Sequence, residues 1–334
     1  MQLTRRSALA ALGGAAFGAT MPRLAFAQAM PATMAYGSTG YTWAGAFVAE
    51  GIDAWAKNGI ALQALDFPTG RESMQALLGG SADFATATDT PVTFAGLRGL
   101  KPMVIAVYSR YSRDMKIAVR DGAATTDDPA SLKGKTIATR VGTSGQYMLS
   151  RYLTMAGLSD ADVTIVDLSP SDMMAATLRG DVDGFSWTSQ ASAMAVEAAG
   201  GQIVEMTQEG IEEFFVSHQC LLTNEAVLAD KPELAEGAVK AILDAEAYIT
   251  GNDTWPEVIA DRVRAEPDFI KTMTSVFEFR TELSKKFLTD LITQAEWAIS
   301  AGLVEKPEGD VAEMMTSLIA PGPLMAVAPD RVTL

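Results

Sequence analysis

Two residues capable of nucleophilic chemistry stand close together in this sequence. His218 and Cys220 are the single histidine and single cysteine of the 334-residue chain, in the apolar run FFVSHQCLLTNEAVL. Residues two apart on a strand share a face, so the pair could form a thiolate–imidazole couple. The apolar neighbours of Cys220 favour a raised thiol pKa instead. We therefore prefer a buried free cysteine beside a hydrogen-bonded histidine, with an enzyme using this pair as the alternative.

Small hydroxyl residues and glycines form a second group of candidates. They occur where a predicted strand ends and a helix begins, in YGSTGYTW and RVGTSGQY. Hydroxyls and the unpaired backbone N–H groups of a helix start can bind a small polar or anionic group. The same residues could serve only as helix caps, and the two roles are compatible. The predicted ligand contacts in these two loops are Ser38, Thr39, Tyr41, Trp43, Thr143, Ser144, Gly145 and Tyr147.

Two further segments, TATDTP and SWTSQ, add Asp89, Thr90 and Trp187 to these candidates. An acid in a ligand-facing loop suits an amine or a ring N–H, and an aromatic neighbour would add cation–π attraction. Asp89 could equally be a helix cap or a partner of the helix dipole. Of Tyr41 and Trp43, only one is expected to face a ligand. Arginines at strand ends, such as Arg110 and Arg140, could pair with an anion or face solvent.

Four segments of similar pattern must position these residues. Each has an apolar strand, a turn of small polar residues and an amphipathic helix that stops at Gly or Asn-Gly. They contain TMAYGSTGY, ADFATATDTP, KTIATRVGTSG and VDGFSWTS. Alternation of strands and helices predicts an α/β fold with parallel βαβ units. In such sheets the strand C-termini and helix N-termini meet at one edge, where ligands bind.

Part of this pattern is repeated within the chain. LLGGSADFAT begins at Leu77 and TLRGDVDGFSW at Thr177, one hundred residues later. The repeat predicts one helix–turn–strand–cap unit in each half of the molecule. We interpret its aspartates as structural groups that bind backbone N–H groups. The matched pairs are Leu78 and Leu178, Gly80 and Gly180, and Asp83 and Asp183.

The ends of the chain differ from its middle. Residues 1–27 have the pattern of an export signal, with Arg5-Arg6 similar to a twin-arginine signal and Ala25-Phe26-Ala27 as a cleavage site. About 300 remaining residues predict two lobes. We expect the first to comprise residues 28–112 plus 220–334, and the second residues 113–219. C-terminal helices are expected to wrap the first lobe, and residues 320–334 to form an extended tail.

Composition narrows the class of function. The formal net charge is −15, and removal of residues 1–27 with their three arginines would make it −18. Such acidity disfavours nucleic acid and anionic membrane surfaces as partners. One cysteine and one histidine exclude an intrachain disulfide and His- or Cys-rich metal sites. After removal of the export signal we expect a soluble protein with no membrane-spanning segment. We also expect no metal or other cofactor.

These segments together resemble a known family. GGSADFATATDTP, DPASLKGKTIATRVGTSGQYMLSRYLTMAGL and LSPSDMMAATLRGDVDGF are similar to periplasmic substrate-binding proteins of ABC importers in the nitrate/sulfonate/taurine group and to the related thiamine-pyrimidine-precursor binders. The similarity runs over residues 32–223. It departs from the family after the second aspartate, because Trp187 comes four residues later and TSQ replaces an acidic-Pro pair.

The resemblance implies a type II periplasmic binding fold, in which two α/β lobes joined by a hinge close over a small ligand. Its ligand loops would be residues 37–41, 88–90 and 143–147 and the stretch around Trp187. It further implies a monomeric receptor in the periplasm, not an enzyme, that delivers its ligand to an ABC permease in the inner membrane. Aminosulfonates or other sulfonates are the first expected ligands, and aromatic or pyrimidine-like molecules the second. A desulfinase- or pyrimidine-synthase-like enzyme and a sensor for a signalling receptor are the alternatives.

Overall fold

The computed structural model describes residues 29–37 and 40–334. The predicted export signal, residues 1–27, lies outside the described residues, as do the candidate ligand contacts Ser38 and Thr39. No helix in residues 29–37 and 40–334 combines the length and the apolar character that a membrane span requires.

Thirteen strands and fourteen α-helices are formed by the described residues. The strands are β1 (Met30–Gly37), β2 (Ile60–Phe67), β3 (Phe84–Thr88), β4 (Met103–Tyr111), β5 (Met115–Arg120), β6 (Thr136–Thr139), β7 (Thr164–Asp167), β8 (Gly184–Thr188), β9 (Ile203–Glu205), β10 (Ser217–Thr223), β11 (Phe277–Glu278), β12 (Leu283–Ser284) and β13 (Val332–Thr333). The helices are α1 (Ala44–Gly51), α2 (Ala54–Lys57), α3 (Gly70–Leu78), α4 (Asp89–Leu97), α5 (Ser144–Met155), α6 (Pro170–Arg179), α7 (Ser189–Ala199), α8 (Glu225–Asp230), α9 (Pro232–Gly251), α10 (Trp255–Val263), α11 (Pro267–Thr274), α12 (Lys285–Ser300), α13 (Val311–Ser317) and α14 (Gly322–Val327).

Two mixed sheets contain most of the strands. The first has the order β2-β1-β3-β10-β4-β11, and the second β7-β6-β8-β5-β9. In the first sheet β10 runs antiparallel to β3 and β4, while β1 is parallel to β2 and β3. In the second, β5 runs antiparallel to β8 and β9, while β6 is parallel to β7 and β8. The expected α/β architecture is confirmed, with one internal strand of each sheet reversed.

The two reversed internal strands, β5 and β10, each follow a crossing from one sheet to the other. Residues 112–114 join β4 to β5, and residues 206–216 join β9 to β10. We take these two connections as the hinge segments. The division into lobes stays a prediction, and its second boundary, after residue 219, falls inside β10, which pairs along its length with the first sheet.

The repeated aspartates make equivalent contacts in the two sheets. Asp83 Oδ2 accepts a hydrogen bond from the Thr33 N–H at 2.9 Å, and Asp183 Oδ2 accepts one from the Thr136 N–H at 2.9 Å. Each aspartate N–H in turn donates to the carbonyl of the same threonine, at 2.9 and 2.8 Å. The predicted structural role is confirmed: each carboxylate ties the entry of its strand to the neighbouring strand.

The turns of the repeat also agree with the sequence pattern. Gly80 and Gly180 have φ values of +76° and +82°, a backbone region that favours glycine because it lacks Cβ. Ser169 caps α6 by accepting from the Asp172 N–H, and Thr188 caps α7 by accepting from the Ala191 N–H. The four predicted strand–turn–helix units are confirmed as β1–α1, β3–α4, β6–α5 and β8–α7.

The C-terminal helices pack on the first sheet's side of the molecule, as expected: α9 contacts α1 and β4, and α12 contacts α4. The expectation of an extended tail is wrong. Residues 320–334 form α14, a 3₁₀ turn and β13, which pairs in parallel with β12. Leu324 of α14 is fully buried. The proline and glycine content of the segment suggested a loop, and the sequence pattern did not indicate that this leucine would be buried.

We expect Asp83→Ala and Asp183→Ala each to lower the free energy of unfolding by about 1–3 kcal/mol, because each leaves a partly buried backbone N–H without its acceptor. Urea titration followed by circular dichroism measures the change. Asp83→Asn and Asp183→Asn are the matched controls, since they keep a side-chain oxygen, and should lose less. Equal losses for Ala and Asn would contradict the assigned role.

Candidate functional site

A small cavity lies between the two sheets, where the strands end and the helices begin. Its volume is about 30 Å³, room for one or two water molecules. Both sides contribute walls. The lining residues are Thr42, Trp43, Pro68, Thr69, Gly70, Arg71, Thr88 and Pro91 from the first side, and Met115, Thr143, Ser144, Gly145, Trp187 and Thr188 from the second.

Five helix starts surround this cavity. Thr69 and Gly70 begin α3, Thr88 precedes α4, Thr143 precedes α5, Thr188 precedes α7, and a 3₁₀ turn with Trp43 leads into α1. The first N–H groups of a helix have no partner within the helix, and the helix dipole favours negative charge there. The cavity is therefore placed to receive an anionic group from several directions.

The start of α5 has no side-chain cap and can donate to a ligand. Thr143 makes no capping bond with its side chain, and its hydroxyl donates to the Arg140 carbonyl at 2.6 Å instead. The Ser144 hydroxyl donates to Thr88 Oγ1 across the cavity at 2.8 Å. Because the side chains leave the first N–H groups of α5 uncapped, these donors remain for a bound group.

One charged side chain, Arg71, belongs to the cavity lining, which contains no carboxylate. Its guanidinium donates from Nη1 to the Val141 carbonyl on the opposite side at 2.5 Å. Its Nε lies 3.8 Å from Glu72 Oε1. Arg71 is thus the charged side chain of the lining, and its nearest carboxylate, Glu72, lies outside the lining.

Two tryptophans enclose the cavity, and each packs against a glycine. A Cβ on Gly70 would lie 2.8 Å from Trp43 Cη2, and one on Gly145 would lie 2.8 Å from Trp187 Cε3. Trp187 Nε1 is buried and has no hydrogen-bond partner within the part of the chain that the structure describes. A buried indole N–H normally finds an acceptor, so this donor is available to a ligand.

Five of the predicted contacts therefore line the cavity: Trp43, Thr143, Ser144, Gly145 and Trp187. Four others lie outside its lining, namely Tyr41, Asp89, Thr90 and Tyr147. Of the aromatic pair Tyr41 and Trp43, Trp43 is the one at the cavity, as the prediction of a single ligand-facing ring allows.

Asp89 lies in a polar cluster beside the first sheet. Its carboxylate is fully buried and accepts from Gln294 Nε2 at 2.8 Å, from the Thr90 N–H at 3.0 Å and from the Ser217 hydroxyl at 3.2 Å. Burial raises the pKa of Asp89 to about 6, although His218 and Gln294 oppose the shift. Both carboxylate oxygens have partners, which fits the interpretation as a helix-start group.

Tyr41 and Tyr147 occupy two other places between the lobes. The Tyr41 hydroxyl bonds to Ser189 Oγ, and the Tyr147 ring packs against Phe215 and Trp297 with centroids 5.8 and 4.8 Å away. Tyr147 also borders a larger hollow of about 480 Å³ beside the hinge segments. Charged side chains there are largely paired with one another, including Arg113 with Glu212 and Lys286 with Asp290.

The His218 and Cys220 pair is not arranged for nucleophilic chemistry. His218 Nε2 lies 2.8 Å from Asp290 Oδ2, and a register shift separates Gln219 from Cys220. The thiol is fully buried, and burial, followed by the charge of Asp89, raises its pKa well above the usual value. Neither residue lines the cavity. The preferred interpretation of a buried free cysteine beside a hydrogen-bonded histidine agrees with this geometry.

Several hydrogen bonds join the two sides around the cavity. Arg140 Nη2 contacts Glu72 Oε1 at 2.6 Å, and Trp297 Nε1 donates to Ser150 Oγ at 2.7 Å. Arg140 also contacts Asp167 at 3.2 Å, while Arg110 pairs with Glu278 at 2.7 Å. Both arginines considered from the sequence thus bind carboxylates of the protein itself.

The sequence interpretation missed the segment FPTGRESM, which supplies Pro68, Thr69, Gly70 and Arg71 to the cavity. The sequence pattern that could have revealed this segment is the same as in the four recognised units: a strand, a turn of small residues and a helix start. No cluster of three or more His, Cys, Asp or Glu side chains suited to a metal ion occurs among residues 29–37 and 40–334.

Comparison with known proteins agrees with this architecture. The taurine-binding periplasmic protein of Escherichia coli (strain K12) is 26% identical over 330 residues, covering 94% of this chain and 98% of that protein. The alkanesulfonate-binding protein SsuA from Xanthomonas axonopodis pv. citri, bound to MOPS, matches with a TM-score of 0.72 at 18% identity, covering 88% of this chain and 99% of that one. The periplasmic nitrate-binding protein NrtA from Synechocystis PCC 6803 matches with a TM-score of 0.70 at 13% identity, covering 91% and 89%.

The structural matches show that the chain has the periplasmic binding protein fold. Residues 42–254, more than half of the chain, match the model of the family described as NMT1/THI5 like. The chain therefore belongs to the NMT1/THI5-like family, and the resemblance found in its sequence is confirmed.

Proposed function

We propose that this protein is a periplasmic solute-binding receptor of an ABC importer, and that its ligand carries an oxyanion group such as a sulfonate. The observation that carries the proposal is a cavity formed by helix starts from both sides, with Arg71 as its charged side chain and no carboxylate in its lining. Each helix start contributes about 0.3–1 kcal/mol toward an anion, and up to about 2 kcal/mol when partly buried. Several of them with one guanidinium form a site for negative charge.

Small organic sulfonates, including aminosulfonates, are the first ligand class. The names of the relatives, a taurine-binding and an alkanesulfonate-binding protein, support this order. Aromatic or pyrimidine-like anions are the second class, since Trp43 and Trp187 offer flat apolar surface beside the same donors. Of the residues considered from the sequence, we assign ligand contact to Trp43, Thr143, Ser144, Gly145 and Trp187, and we add Thr69, Gly70 and Arg71.

Binding proceeds by opening and closing of the hinge. A cavity of about 30 Å³ is far below the 300–1,000 Å³ typical of ligand pockets, so the lobes must separate to admit a solute. The bonds Ser144–Thr88, Arg71–Val141 and Arg140–Glu72 then re-form as the lobes approach. A ligand that contacts both lobes favours the closed form by its difference in affinity for the two forms.

The proposal includes a location for the protein, the periplasm. Export by a twin-arginine-like signal would put the mature chain in the periplasm, where a monomer presents its closed form to a permease of the inner membrane. An enzyme on this scaffold is not favoured, because the buried Cys220 and the paired His218 lie away from the cavity lining.

We expect taurine or a short alkanesulfonate to raise the free energy of unfolding of residues 28–334 by about 2.7 kcal/mol at 100 times its dissociation constant. Arg71→Met should weaken that binding about 10- to 100-fold, since a hydrogen bond to a charged group contributes about 1.5–3 kcal/mol. Thermal shift followed by calorimetric titration measures both effects. Arg98→Met removes an exposed guanidinium at the end of α4 and is the control. Unchanged sulfonate affinity in Arg71→Met, or stabilisation by amines alone, would contradict the proposal.

The Arg140–Glu72 pair is expected to slow ligand release. Burial alone would raise the pKa of Glu72, but hydrogen bonds from Thr69 and Arg140 lower it overall, so the pair is charged at neutral pH. Glu72→Gln and Arg140→Met should each speed dissociation of the bound sulfonate several-fold, and the double variant should add little more than either.

Stopped-flow tryptophan fluorescence gives these dissociation rates. Glu225→Gln, which breaks the exposed Lys101–Glu225 pair within the first lobe, is the control and should leave the rate unchanged. Fully additive effects of Glu72→Gln and Arg140→Met would show that the pair does not act as a unit.

A further inference from the structure

Asp114 has one carboxylate oxygen that lacks a partner in the interior of the protein. It is the last residue of the first hinge segment and is fully buried. Its Oδ1 accepts from the Ser189 hydroxyl, and its carbonyl accepts from the Ser189 N–H at 2.6 Å. Its Oδ2 is buried and makes no hydrogen bond with any described residue.

This carboxylate belongs to a cluster of residues that are adjacent in sequence to the cavity lining. Ser189 Oγ also bonds to the Tyr41 hydroxyl, so that Tyr41, Ser189 and Asp114 form one cluster. Each of the three is the chain neighbour of a residue that lines the cavity: Thr42, Thr188 and Met115. Tyr41 comes from the side of the first sheet and the other two from the second, so the hinge opening proposed above would separate Tyr41 from them and expose Asp114 to the cleft.

Burial of this kind is unfavourable unless a cation or further donors compensate for it. Burial raises the pKa of Asp114 to about 6, against the opposing effects of the nearby Ser189 and Tyr41 hydroxyls and the charge of Lys116, so the group is mostly ionised at pH 7. The Tyr41 and Thr42 hydroxyls lie near enough to lower this pKa, yet neither bonds to Oδ2. An ionised, buried oxygen without a donor is suited to a positively charged partner.

Asp89 is a second fully buried acid, and it differs from Asp114 in the pairing of its oxygens. Both carboxyls are fully buried, and burial raises the pKa of each to about 6. Both oxygens of Asp89 have donors, from Gln294, Thr90 and Ser217. Of these two acids, only Asp114 has an oxygen left for a ligand.

We propose that Asp114 receives the ammonium group of a zwitterionic ligand, and that the solute is therefore an aminosulfonate. The inference rests on the proposed function, because the sulfonate of the same molecule would lie against Arg71 and the helix starts. An ammonium group carries three N–H donors and can supply both the charge and the hydrogen bond that Oδ2 lacks. Asp114 then acts as a specificity-determining residue, since a sulfonate without an amine leaves its charge uncompensated.

Calorimetric titration of residues 28–334 with taurine and with ethanesulfonate tests the proposal, because the two share a sulfonate and a two-carbon chain and differ in the amine. Wild type should bind taurine at least tenfold more tightly. Asp114→Asn should weaken taurine binding at least tenfold and change ethanesulfonate binding less than threefold. Asp89→Asn, the matched buried acid, should leave the ratio of the two affinities as it is in wild type.

Equal affinity of wild type for the two sulfonates would overturn the assignment while leaving the proposed function intact. An equal loss of both affinities in Asp114→Asn, or the same change of ratio in Asp89→Asn, would also overturn it. Failure of both sulfonates to bind wild type would overturn the proposed function and this inference together. Asp114→Ser provides a second variant should Asp114→Asn not fold, and the same loss of preference for taurine is expected.

Discussion

Unpaired backbone N–H groups at the starts of helices are the constraint on which the rest of this structure depends. A parallel strand followed by a helix places those donors at one edge of its sheet, and burying them without an acceptor costs free energy. Two sheets that face each other through such edges leave a gap in which an anion can satisfy donors from both sides at once. Two groups at the cavity can donate to such an anion: the first backbone N–H groups of α5, which has no side-chain cap at Thr143, and the Arg71 guanidinium.

The hinge follows from the same topology. Each sheet contains one reversed internal strand, β5 or β10, and each of these strands follows a crossing from the other sheet. Two connections join the two sheets, at residues 112–114 and 206–216, and they would act as the hinge in the proposed closure over a ligand. Polar groups close to these connections form separate clusters: Asp89 with Ser217, and Asp114 with Ser189. The hydroxyls of Ser144 and Tyr41 join each of these clusters to residues on the side of the other sheet.

Much of the scaffold could be predicted from local pattern. The four strand–turn–helix units and the left-handed glycines Gly80 and Gly180 depend on residues close in sequence. The internal repeat even indicated the structural role of Asp83 and Asp183, because both halves needed the same contact to the neighbouring strand. The C-terminal segment was predicted less well, since its order depends on the distant contacts of α14 and β13 rather than on its own composition.

The sequence by itself determined the α/β class, the helix starts at a common edge of each sheet and the family to which the chain belongs. All three arise from short-range patterns of apolar, small and turn-forming residues. Tertiary structure alone decided which side chains meet at the cavity. It brought in Arg71 from an overlooked unit and placed Asp89 among donors of its own lobe. It also left Asp114 with an oxygen that has no donor. The physical reason is that the burial and pairing of a carboxylate depend on elements far away in the chain, such as α12 for Asp89 and the start of α7 for Asp114.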